Sequence, residues 1–213
     1  MKIAIFGAGG RIGSRIVNEA LNRGHEVTAA VPHPENYTLE APHLHVAKGN
    51  LFSSDDVESA AFDHDAVVSA FNFKQGVTPP STLAEVVPSL LSGLKQAGVK
   101  RLLIVGGAGS LEVSPGLQLV DTPNFPEAYK ASALAARDAL KLYRQEKEIE
   151  WTYLSPAAEI APGERTGKFR TGKDQLITDA NGKSFISMED YAVAVVDELE
   201  NPMHIRERFT VGY

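Results

Sequence analysis

Lys2-Ile3-Ala4-Ile5-Phe6-Gly7-Ala8-Gly9-Gly10-Arg11-Ile12-Gly13 is the stretch that decides the fold. It begins as a short apolar run, as a strand buried on both faces requires, and passes without a break into a glycine turn. Beyond the turn Ile12, Ile16, Val17, Ala20 and Leu21 recur at helical spacing, Gly24 supplies a stop, and Glu26 to Val31 reads as a second strand. Strand, helix and strand fit into about thirty residues.

The turn needs glycine for physical reasons. Gly7 allows a sharp reversal, Gly9 or Gly10 lets the backbone approach a pyrophosphate, and Gly13 lets the helix pack close to the strand. The unpaired N–H groups of Ile12 and its neighbours then face an anion, with the positive end of the helix dipole behind them. A strict G-x-G-x-x-G would place glycine at Ile12; the chain instead has G-x-x-G-x-x-G through Gly7, Gly10 and Gly13. That variant resembles the short-chain dehydrogenase/reductase superfamily. The plainer reading is a strand-to-helix turn that binds no nucleotide.

A chain of 213 residues suits one α/β domain spanning 1–213. With no cysteine there are no disulfides, thiol nucleophiles or cysteine-ligated metals. The N-terminal strand has no signal-peptide layout and no apolar run approaches spanning length, so a soluble, cytoplasmic protein without membrane contact is expected. A net charge of −6 argues against a nucleic-acid partner. Monomer and homodimer both remain open.

Past the second strand the acidic residue that would hold the ribose hydroxyls of NAD is missing, because the chain reads Ala29-Ala30-Val31-Pro32-His33. Arg11, with His33 beside it, would meet a 2′-phosphate instead, which favours NADP(H) over NAD(H); a solvated first-turn arginine is the plainer account. A short third strand is expected over Leu44 to Ala47, followed by Asn50 and Leu51 as neighbours of the adenine. His43 and His45 lack a third ligand, and no metal site is expected. Ser53 to Phe62 reads as a helix capped by serine with Asp56 in register. The fourth strand, Asp65 to Phe71, brings Ala70, Phe71 and Asn72 along the cofactor. A helix over Ser81 to Ala97, stopped by Gly98, leads to a fifth strand, Arg101 to Val105. This alternation predicts a doubly wound parallel Rossmann sheet with helices on both faces and a small C-terminal substrate-side lobe.

The fifth strand runs into Gly106-Gly107-Ala108-Gly109-Ser110-Leu111 at the ligand edge of the sheet, where Gly107 is expected on the cofactor. In short-chain dehydrogenases a serine near this place polarises the substrate beside a tyrosine and a lysine four residues further on. Ser110 takes the serine's position. Tyr129, however, is followed directly by Lys130, a candidate cofactor contact, and four beyond it stands Ala133. Tyr143 and Lys147 match literally, but near the end of a helix over Pro126 to Lys147 they point to the wrong edge. The proton relay is expected to be absent.

After a strand at Trp151 to Leu154, Pro156 carries the chain over the crevice. The region 156–186 reads as a substrate flap, with basic residues and an aromatic between glycines from Pro162 to Lys173. Phe169 would stack on a flat anionic substrate while Arg165, Lys168 and Arg170 pair with its charge; a solvated hairpin is the alternative. Gln175 to Ile177 and Ser184 to Ile186 read as short strands around Asn181-Gly182. Ser187 caps a helix reaching Leu199, and Arg208 to Tyr213 is a last strand.

Read whole, the chain resembles the atypical short-chain dehydrogenase/reductases known as NADH-flavin reductases, together with NmrA-like and biliverdin reductase B-like NAD(P)-binding proteins. The resemblance rests on residues 9–16, 105–110, 153–157, Gly-Glu-Arg-Thr-Gly-Lys at 163–168 and Ile-Ser-Met-Glu-Asp-Tyr-Ala at 186–192. It implies hydride transfer from NAD(P)H to FMN, FAD or a similar flat acceptor such as a quinone, needing orientation more than acid catalysis. It equally implies a non-catalytic, NmrA-like redox sensor. Pro32 departs from the pattern, standing where many relatives carry arginine.

Overall fold

The computed structural model describes residues 1–72 and 79–213. β1 (Lys2–Phe6), α1 (Gly13–Asn22) and β2 (Glu26–Val31) form the opening unit. β3 (Leu44–Lys48), α2 (Ser54–Ala61), β4 (Ala66–Ser69), α3 (Thr82–Ala97) and β5 (Arg101–Val105) continue the alternation. A hairpin, β6 (Glu112–Ser114) and β7 (Leu117–Gln118), precedes α4 (Glu127–Tyr143) and β8 (Glu150–Ser155). The chain closes with β9 (Glu159–Ala161), β10 (Arg170–Gly172), β11 (Phe185–Ser187), α5 (Met188–Glu200) and β12 (Glu207–Gly212).

The main sheet has the order β10-β12-β8-β5-β4-β1-β2-β3 and is parallel throughout except for β10, which lies antiparallel on β12. Alternate residues of each strand feed opposite faces. Ile3 and Ile5 of β1 join α1 and α5 in one apolar cluster. Ala4 and Phe6 join α2, α3 and α4 in the other. Both faces being covered is why the inner strands read as near-continuous apolar runs. Successive strands run outward from β1 to β3 on one side and from β4 to β12 on the other, so the order reverses between β1 and β4. The crevice beyond their carboxyl ends is where such sheets bind ligands.

Two helix starts are fixed by serine caps at the expected positions. Ser53 Oγ accepts from Asp56 N at 3.2 Å, and Ser187 Oγ from Asp190 N at 3.0 Å. Elsewhere the structure corrects the sequence reading. The fourth helix ends at Tyr143, because Glu146 turns back and its Oε1 accepts from the amides of Glu148 and Ile149. Gln175 to Ile177 is not a strand: Gln175 makes a single bridge to Glu112, and Ile177 packs between Gly172 and Gly212. β11 pairs in parallel with β9, not across the turn at Asn181-Gly182, where the Asp179 carboxylate takes the amides of Asn181 and Lys183.

Candidate dinucleotide site

The glycine turn divides into a closed side and an open side. Gly7 has φ of 77°, and a Cβ there would stand 2.6 Å from the carbonyl oxygen of Ala70, at the end of β4. A Cβ on Gly13 would stand 2.1 Å from the carbonyl oxygen of Gly7. These two glycines lock β1, β4 and α1 together. Gly9 is different: no atom lies within 4 Å of where its Cβ would be, and packing does not demand glycine there. Gly10 is also exposed, closing the turn with its amide on Gly7 O at 2.9 Å.

The helix behind this turn is left ready for an anion. Ile12, its N-cap residue, offers no side-chain acceptor, and the first turn holds no acidic residue. Arg15 braces the turn, donating from Nη1 to Arg11 O at 2.7 Å and from Nε to Glu189 at 2.6 Å. Sequence reading passed over Arg15; its signal is its place four residues after Arg11, one helical turn on. Arg11 itself is exposed, and its guanidinium makes no ion pair among the described residues. A pyrophosphate therefore fits the turn, which offers open backbone and an uncapped helix end.

The other expected contacts rim the same edge. Gly49, after β3, packs on Ala30 and Phe6, and Asn50 follows with its Oδ1 accepting from Phe52 N at 3.1 Å. Leu51 is buried, its carbonyl held by Ser89 Oγ. Ala70, Phe71 and Asn72 lead out of β4. Phe71 meets Phe52 edge-on at 6.2 Å, and Phe52 remains half exposed, an apolar wall that sequence reading missed. His33 is exposed, with its Nδ1 3.3 Å from Glu35 Oε1. Lys130 is exposed, 3.8 Å from Glu127.

Under Gly106 and Gly107 lies Tyr153. A Cβ on Gly106 would fall 2.1 Å from its ring; its hydroxyl accepts from Gly107 N at 3.2 Å and donates to Ala136 O at 3.1 Å. Burial pushes this phenol up to about 12, so it is a neutral anchor for the loop at neutral pH. Ser110 is not presented to the crevice as expected. It is 5% exposed, and its hydroxyl accepts from Arg208 Nη1 at 3.3 Å. The reason is packing: Leu111 is fully buried and Gly109 fits against Ala133 of α4, which draws the loop inward. Ala133 sits where the relay lysine would be, Tyr129 is 64% exposed, and Tyr143 is buried in the core.

The flap reading also needs correction, because residues 163–170 are strapped to α1 and α5. Asp190, fully buried, accepts from the amides of Thr166 at 2.8 Å and Gly167 at 2.7 Å, from Thr166 Oγ1, and from Tyr213 Oη at 2.7 Å. Burial alone would raise its pKa, but these donors outweigh it and hold the carboxyl below 3.8. Glu189 takes Gly163 N at 2.7 Å, and Ser187 Oγ donates to Glu164 O at 2.8 Å. Arg165 grips Glu19 with two N–H groups at 2.7 and 2.8 Å. Arg170 donates to the carbonyls of Thr178 and Tyr213, and Phe169 packs against the core. Of the basic residues expected on substrate, Lys168 alone is free of an ion pair or carbonyl contact from its ammonium among the described residues. Pro156 is buried where the chain leaves β8.

An open glycine turn at the switch point of a doubly wound parallel sheet, leading into an uncapped helix, defines a Rossmann protein of the kind that binds nicotinamide dinucleotides. The chain belongs to the NAD(P)H-binding family, whose model matches residues 7–202. It is 44% identical to the uncharacterized protein YwnB of Bacillus subtilis over 99% of this chain and 98% of YwnB. Among solved structures, a "putative epimerase" from Bacteroides thetaiotaomicron is 48% identical with a TM-score of 0.91, covering 100% of this chain and 96% of its own. A "putative NADH-flavin reductase" from Streptococcus pneumoniae is 38% identical with a TM-score of 0.83, covering 100% and 99%. Among the described residues, no helix is long and apolar enough to cross a membrane and no cluster could hold a metal ion.

Proposed function

We propose that this protein is an NAD(P)H-dependent reductase that passes hydride to a flat, conjugated acceptor such as a flavin or quinone. The observation that carries this reading is the pairing of an open dinucleotide turn with the absence of a proton relay: Ala133 occupies the lysine position, and Ser110 is turned inward on Arg208. The reduced nicotinamide supplies the hydride when bound. The chain's part is to bind the pyrophosphate on the amides behind Gly9 and Gly10, to steady that turn through Arg15, and to hold the loop at Gly106-Gly107 flat over Tyr153. A flavin or quinone spreads the charge it receives, so a proton from solvent completes its reduction without a side-chain acid. Epimerisation, the activity in the name of the Bacteroides relative, is disfavoured for this chain because transient oxidation of an alcohol, with hydride passing from carbon to the dinucleotide, calls for a base to take the hydroxyl proton, the role of that missing relay. Arg11, unpaired beside the turn, favours NADPH over NADH.

The test is steady-state oxidation of NADPH and NADH followed at the nicotinamide band with FMN, FAD or a soluble quinone as acceptor. Acceptor-dependent oxidation well above the uncatalysed rate, faster with NADPH, is expected. Saturable dinucleotide binding without turnover on any of these acceptors would overturn the reductase and leave a binding protein that senses redox state.

A further inference from the structure

We infer that the cleft between α4 and β12 is a binding site for a small anion carrying at least two negative charges, a phosphate or a dicarboxylate. The cleft has a volume of about 390 Å³ and is lined by Arg137, Lys141, Arg144 and Arg208 together with the polar groups of Ser110 and Gln118. A volume of this order suits a small metabolite. Four cations line one cleft on a protein of net charge −6.

The carboxylates that accompany these cations do not line the cleft. Asp174 stands outside and is shared, taking Nε of Arg208 at 2.9 Å and lying 3.5 Å from Nη2 of Arg144. Asp121 takes Arg137 Nη1 at 3.1 Å, and Asp138 takes Lys141 Nζ at 2.8 Å in a pair exposed to water. One of the guanidinium charges is thus left without a carboxylate of its own. One inner donor is also unused. Arg137 Nε is buried with no hydrogen-bond partner among the described residues. Arg208, whose side chain is 4% exposed, is fixed at the inner end of the cleft: Nε and Nη2 donate to Asp174, Nη2 also to Ser110 O at 3.4 Å, and Nη1 to Ser110 Oγ and Ser155 Oγ at 3.3 and 3.5 Å. Guanidinium groups that converge on one cleft are suited to tetrahedral or planar oxyanions. The site lies apart from the glycine turn, sharing no residue with it, and does not depend on the reductase reading.

The test compares the full chain with an Arg137→Gln/Lys141→Gln double variant, which removes two of the four cations and keeps the buried apolar residues of α4, Ala139 and Leu140, in place. The unfolding midpoint is followed by thermal denaturation while inorganic phosphate or succinate is added at ionic strength held constant with chloride. A saturable rise in the parent, weakened at least roughly tenfold in apparent affinity in the double variant, is expected. Stronger stabilisation by phosphate assigns the site to phosphorylated ligands, and stronger stabilisation by succinate to dicarboxylates. No rise beyond the chloride control, or an equal rise in parent and variant, would overturn the inference. A Gly9→Leu control, which fills the dinucleotide turn, keeps the rise if the anion sits in this cleft and loses it if the anion sits on α1, which would also overturn it.

Discussion

Two helices of this protein begin side by side at the same edge of the sheet, and they end their backbones in opposite ways. The first turn of α5 is filled by the chain itself: Ser187 caps it, Glu189 and Asp190 stand in its acidic first turn, and the strap at 163–167 donates into them. The first turn of α1 has no cap and no acid, and the glycines before it face open space. Arg15 joins the two by bridging Glu189 to Arg11 O. The comparison teaches that an unfilled helix end is not a feature of this sheet edge in general. Among the described α-helices, α1 alone has neither a side-chain cap nor an acidic residue in its first turn, and an anion would complete it.

If α5 is the satisfied partner, breaking it should damage folding more than binding. Asp190→Ala leaves two amides and two hydroxyls without their acceptor, and should lower unfolding stability by about 3 kcal/mol or more, read by urea denaturation. An unchanged midpoint would show that the strap contributes nothing to the fold. Acid should act through the same groups. Asp190, held low against burial by its donors, and Glu19, held low by hydrogen bonds from Arg165, have folded-state values below 3.8 and 4.5. A depressed folded value contributes stability above the unfolded one and loses it on protonation. Stability from these groups should therefore be flat near neutrality and fall as the pH drops below about 4.5. In Asp190→Ala that acid slope should be shallower, measured by urea unfolding at a series of pH values.

Ser187→Ala removes the cap together with the hydroxyl's bonds to Glu164 O and Tyr213 Oη and should cost about 1–2 kcal/mol, leaving dinucleotide affinity nearly unchanged in the folded protein. The smallest effect belongs to the open helix. Arg11→Gln should leave stability within about 0.5 kcal/mol of the parent, because its guanidinium is exposed and unpaired. It should weaken NADPH binding by a few-fold to about tenfold while sparing NADH, read by nicotinamide fluorescence. Equal losses for both dinucleotides would place the guanidinium on the shared pyrophosphate rather than on the 2′-phosphate.

The sheet and its switch point were legible because each inner strand is an apolar run and α1, α2, α3 and α5 are each bounded by a serine or a glycine, signals that need no tertiary context. The glycine turn was legible for the same reason, since all its glycines fall within residues 7–13. The strap was not. Gly163 to Lys173 carries the charges of a flap, and nothing local reveals that Glu19, 146 residues from Arg165, or the buried Asp190 would hold it down. Ser110 misled in the same manner: its position after the fifth strand suits a catalytic serine, but Arg208, at the far end of the chain, claims its hydroxyl. Long-range polar partners decide both cases, and periodicity carries no record of them.

The most direct test of the open helix end is dinucleotide binding by the parent and by Gly9→Leu, with unfolding midpoints measured in parallel. No atom lies within 4 Å of the added side chain's root, so the fold should be indifferent to it while the pyrophosphate is displaced. The account predicts saturable NADPH binding in the parent, at least roughly tenfold weaker in the variant, with the two midpoints within about 2 °C of each other. Equal affinity in both proteins, or no binding by the parent, would contradict it.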